Sequence, residues 1–130
     1  MSMVRFRTAE GTFLASTASV LEVRTAAEVT SLPSRKKGVA GLIERDGSAL
    51  SVLSTFGSKG GHVIVLKTTA GSFGLLADEV TGVVNVSELE IEPAPLGQDR
   101  PLVSGVVRAR TGLELIVSVE ALWKELEKPG

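Results

Sequence analysis

Short apolar runs, broken by turn residues, recur along this chain in one order, twice over. The run VRFRT (Val4 to Thr8) alternates apolar and polar positions, which predicts a strand with one buried face. AEG follows as a turn, and a second strand is predicted to begin at Phe13. Further on, IVLKT, TAG and a strand beginning at Phe73 repeat the sequence of signals. At a constant offset of 60, Val4 matches Ile64, Phe6 matches Leu66, Gly11 matches Gly71, Phe13 matches Phe73, and Val20 and Val23 match Val80 and Val83. A later block repeats at an offset of 64, with VAGLI (Val39 to Ile43) matching VSGVV (Val103 to Val107). The runs after their polar turns, ALSVLS and LELIVS, match as well. An ordered repeat of this kind reads as two copies of one supersecondary unit.

The copies span residues 4–56 and 63–122, joined by GSKGG. Each reads as four or five short strands. ERDG, between two apolar runs, is a hairpin turn because Asp-Gly accepts positive φ. LEIEPAPLGQDRP (Leu89 to Pro101) is proline-rich and predicts a loop or an edge segment. Only the tail reads as helix, over residues 119–128, with Ser118 as its cap and Ala121, Leu122, Glu125 and Leu126 at helical spacing. Mainly β structure follows: two small barrels, their packing intertwined, in one cooperative domain over residues 1–130, since neither copy alone buries much surface.

Composition narrows the chemistry. The net charge is −1 and there are four phenylalanines and no tyrosine, so neither charge nor a stacking platform favours nucleic acid. No cysteine is present, which excludes disulfides and thiolate chemistry. The single histidine, His62, follows SKGG and is expected at the end of a flexible linker, a poor base for a triad. GSKGG lacks the spacing of a phosphate-binding loop. No apolar run approaches a membrane span, and the N-terminus has no signal-peptide core, so a soluble cytoplasmic protein is expected. Neither metal nor cofactor is predicted.

One acidic pair needs a decision. Asp78 and Glu79 interrupt the apolar run GLLADEVTGVV, as a metal site or an acid/base pair would. Their counterparts in the first copy are Ala18 and Ser19, so the unit itself does not require carboxylates there. The pair is read as a strand end, with Val80 and Val83 returning to the interior. Asp78 is expected to make local backbone or inter-subdomain hydrogen bonds. SRKKG (Ser34 to Gly38) reads as a solvated basic loop, and Trp123 as a core anchor.

The ordered motifs resemble the CheW-like domain of bacterial chemotaxis coupling proteins. Val20-Leu21-Glu22-Val23 fits the family's V-x-E-V, and Val29-Thr30-Ser31-Leu32-Pro33 its [IL]-T-x-[VL]-P. Val39-Ala40-Gly41-Leu42-Ile43-Glu44-Arg45-Asp46-Gly47 lies over V-x-G-V-[IT]-N-L-R-G, and Gly74 to Val83 over G-L-L-V-D-x-V-x-G-V. The resemblance spans Val4 to Leu126. It implies two five-stranded SH3-like barrel subdomains, no catalysis, and an adaptor joining a chemoreceptor's cytoplasmic tip to the regulatory domain of a CheA-type histidine kinase. Such a protein would be recruited to receptor clusters without entering the membrane. The receptor groove it implies comprises Val4, Thr17, Val20, Glu22, Val23 and Val83. The kinase or array contact comprises Gly41, Glu44, Arg45 and Asp46. The family's arginine falls on Asp46, a reversed charge, and its P-V-V-D-L run becomes Ser51-Val52-Leu53-Ser54-Thr55. A divergent member, binding one of the two partners or acting outside chemotaxis, is the alternative.

Overall fold

A computed structural model describes residues 1–129. The first copy supplies strands β1 (Ser2–Thr8), β2 (Gly11–Ser16), β3 (Val20–Thr25), β4 (Val39–Arg45) and β5 (Ser48–Leu53). The second supplies β6 (His62–Lys67), β7 (Ser72–Ala77), β8 (Glu79–Asn85), β9 (Ile91–Pro93), β10 (Val103–Ala109) and β11 (Gly112–Val117). Helix α1 (Val119–Glu127) follows, with the Ser118 hydroxyl accepting from the Ala121 amide at 3.3 Å. The helix is too short to cross a membrane.

The strands form two sheets, ordered β8-β1-β2-β11-β10-β9 and β3-β6-β7-β5-β4. Translating the first order through the repeat offsets reproduces the second, with β9 left over. Even β9 has a trace in the first copy, the isolated bridge between Thr30 and Leu42. The bulges repeat too. The register shifts between Val39 and Gly41 and between Val103 and Gly105, and again at Leu21 and its counterpart Thr81.

The sheets cut across the two sequence copies. Each sheet takes the first hairpin of one copy and the third strand and last hairpin of the other. The boundaries 4–56 and 63–122 therefore describe the repeat in sequence, while the packing units are the mixed sheets. The joints between copies are the parallel pairs β2–β11 and β5–β7 and the antiparallel pairs β1–β8 and β3–β6.

Burial explains the layering. In β6, Val63 and Val65 face one way and Ile64 and Leu66 the other, and all four are buried. Val63 and Val65 join Ile43, Val52 and Leu76 in a core that lies inside the five-stranded sheet. Met3, Leu14, Val86, Val107 and Ile116 do the same for the six-stranded sheet. Between the sheets lies a larger core built on Phe6, Phe13, Phe56, Ile64, Leu66, Phe73 and Leu75, closed at one end by Leu122 of α1. Each central strand thus has a partner on both faces, which is why these runs are continuously apolar. Gly74 belongs to this packing, since a Cβ there would stand 2.7 Å from Val63 and 3.1 Å from Val52.

The Asp-Gly turn forms as expected, with φ of 50° at Asp46 and 82° at Gly47. Asp78 sits between β7 and β8 and accepts from the Ser58 hydroxyl and the Lys59 amide, both at 2.9 Å. These bonds, the hydroxyl's first, hold its carboxyl below the usual range. The acid therefore ties down the segment joining the two copies. Two expectations need correction. His62 is not in the linker but opens β6, paired with Ala77 and Thr25. Val83 does not return to the interior, because it lies on an edge strand and is 64% exposed, whereas Val80 packs on the shared core.

Candidate functional site

Two exposed valines mark the rim of the seam between the sheets. Residues directly opposite on paired strands share a face. Val23 lies opposite Ile64 of the shared core, and Val83 opposite Val4, which in turn lies opposite Ala15 of that core. Both valines therefore point to the inter-sheet side. Both sit on edge strands, with 42% of Val23 and 64% of Val83 exposed. The repeat makes them counterparts, so the seam has an apolar rim residue from each copy.

The other expected groove residues divide. Val4 is buried under Val83, and Val20 packs on the shared core. Thr17 is half-buried, and its hydroxyl donates to the Ser2 carbonyl at 3.2 Å. Glu22 faces the other side of β3, opposite Val65 of the inner core.

Glu22 instead meets the second predicted group. Arg45 Nε donates to it at 2.6 Å, and Arg45 also reaches Asp46 at 3.3 Å. Arg24, two residues along β3 from Glu22, donates to the Glu44 carbonyl at 2.6 Å and to Glu28 at 2.5 Å. The Glu28 hydrogen bond raises the Arg24 pKa and lowers that of Glu28. The strands involved, β3 and β4, are the two edges of the five-stranded sheet. These side chains bring the edges together where no backbone ladder does. Arg45, one residue before the position where the family carries arginine, is thus engaged within the chain by Glu22 and Asp46.

Glu44 turns inward to its own hairpin, its carboxylate accepting from the Gly47 amide at 2.7 Å. Gly41 is buried at the bulge, and a Cβ there would collide with the Thr30 carbonyl. Its counterpart Gly105 lies against Ile91 in the same way, so glycine here serves the close approach of the preceding segment. Asp46 projects to solvent, its side chain 85% exposed.

Arg24 and Glu28 escaped the sequence reading. Thr25-Ala-Ala-Glu28 is a capping box, as is Ser87-Glu-Leu-Glu90 in the second copy, and that spacing was a readable signal. The pair of Arg5 with the buried Glu114, at 3.0 Å, had no such signal, because 109 residues separate its members. Among the described residues no cluster of three or more His, Asp or Glu is placed to hold a metal.

A family model described as the CheW-like domain matches residues 2–127. Among solved structures, the chain is similar to the scaffolding protein TtCheW from Thermoanaerobacter tengcongensis, with a TM-score of 0.79 at 22% identity, covering 91% of this chain and 84% of that one. No curated protein sequence matches.

Proposed function

The chain belongs to the CheW-like family of non-catalytic chemotaxis scaffolds, and on that premise we propose that it couples a chemoreceptor's cytoplasmic tip to the regulatory domain of a CheA-type histidine kinase. It acts in the cytoplasm, at receptor clusters. The observation that carries this reading is the exposure of Val23 and Val83 on the inter-sheet face of the edge strands β3 and β8. An amphipathic receptor helix laid there would bury both valines beside an already formed core. The kinase domain would meet the hairpin carrying Glu44, Arg45 and Asp46, with Gly41 shaping the strand beneath.

Calorimetry with a receptor-tip fragment and with the isolated kinase regulatory domain tests this. Both should bind with Kd on the order of tens of micromolar or tighter. Val83→Glu should abolish receptor binding and leave the kinase domain bound, since an exposed edge position tolerates the charge. Binding of neither fragment would sink the coupling role. A second reading, in which only the receptor is bound, is favoured by Asp46, exposed where the family carries arginine. Receptor binding with a silent kinase arm would select it.

A further inference from the structure

The last turn of α1 is gripped by a side chain from the other copy. The Lys36 ammonium donates to the carbonyls of Glu125 at 2.7 Å, Leu126 at 3.4 Å and Lys128 at 2.6 Å. Those carbonyls lie at the end where a helix has no internal donors left. A cation there is also favoured by the helix dipole. No left-handed glycine cap supplies the bonds instead, since Lys128 follows in extended conformation with φ of −69° and ψ of 140°. Arg100 adds an ion pair to Glu125. Lys37, beside Lys36 on the same open cleft of about 980 Å³, makes no bond to the helix.

The inner face of α1 packs on the shared core. Leu122 is fully buried, while Val119, Trp123 and Leu126 are only partly so. The Trp123 ring lies 6.1 Å from that of Phe73, and a Cβ at Gly71 would stand 2.5 Å from it. Its Nε1 is buried with no hydrogen-bond partner, which opposes docking. A nine-residue helix has little stability of its own.

We propose that α1 is a lid on the end of the inter-sheet seam, and that Lys36 is its latch. With the ammonium's hold lost, α1 lifts from Phe73 and Gly71 while both sheets stay folded. The lid then uncovers apolar surface continuous with the shared core. The latch joins the first copy's basic loop to the element that ends the second, so a change at one residue acts on the contact between copies.

The single tryptophan reports the lid directly. In Lys36→Met, Trp123 emission should shift to the red. Amide exchange over α1 should speed up roughly tenfold or more, as expected for loss of charge-assisted hydrogen bonds. Exchange in the strands should stay as in the unaltered protein, and Lys36→Arg should largely restore both readouts. Lys37→Met should change neither. The lid is overturned if α1 exchange in Lys36→Met is unchanged. It is equally overturned if strands and helix lose protection together or the variant fails to fold, because α1 would then be an inseparable part of one core.

Discussion

The two sheets share one strand order but close their inner faces with different chemistry. In the five-stranded sheet, Glu22 and Arg24 on one edge reach the hairpin of Arg45 on the other. Their counterparts in the six-stranded sheet are Gly82, Val84 and Ala109, with Val84 packed on the inner apolar core. Besides the exposed pairs Arg7–Glu79 and Arg108–Glu92, that sheet carries an ion pair between Arg5 and the buried Glu114. The counterparts of those two are Val65 and Leu50, which belong to the first sheet's inner core. Arg5 with Glu114 in one sheet and Glu22 with Arg45 in the other thus stand at positions that the counterpart sheet fills with apolar or small residues. Topology is indifferent to which pairing is used, provided each charged group that leaves solvent finds a partner. The consequence is an asymmetric molecule: one edge pair is clasped by ions, while β8 on the other sheet remains open with Val83 exposed.

Perturbing the part common to both sheets should have the largest effect. Phe73→Ala in the shared core should cost about 3–5 kcal/mol and lower the thermal midpoint in one transition. Two separate calorimetric transitions would show that the sheets fold independently. Next comes the exchange of one sheet's solution for the other's. Arg5→Val alone leaves Glu114 buried without a partner and should cost about 1–3 kcal/mol, discounted because Arg5 is partly exposed. Adding Glu114→Leu, which reproduces the Val65 and Leu50 of the other copy, should recover most of that loss in denaturant titrations. No recovery would mean the inner faces are not interchangeable.

Breaking the clasp should matter less. Arg45→Ala should cost at most about 1 kcal/mol, since the pair is partly solvated, and the difference should shrink in high salt. Exchange should quicken at β3 and at residues 44–47, with β8 unaffected. The smallest effect is at Asp78, whose counterpart is Ala18. Its folded-state pKa is lowered by its bonds to Ser58 and Lys59. Its contribution is thus present above the unfolded carboxyl pKa and fades as pH falls through the folded one, below about pH 4. Asp78→Ala should lose the contribution at neutral pH and show a shallower acid transition. An unchanged acid limb in thermal scans would contradict this.

The local units and their duplication are written in the order of residues along the chain. Period-two patterning marked the strands, Asp46-Gly47 marked its turn, Ser118 marked the start of α1, and constant offsets marked the two copies. Those signals act over a few residues, or by comparison of one segment with another. The tertiary structure alone decided which copy each strand joins, because β2–β11 and β5–β7 pairing depends on contacts between segments far apart in the chain. The same cause separates the legible from the illegible parts of the candidate site. Val20, Val23 and Glu22 could be named as a strand by pattern and family likeness. That Val83 is exposed at an edge, that Glu22 meets Arg45, and that Lys36 grips α1 follow only once the sheets exchange strands. Alternation in sequence specifies two faces of a strand, but burial of either face is settled by what packs against it.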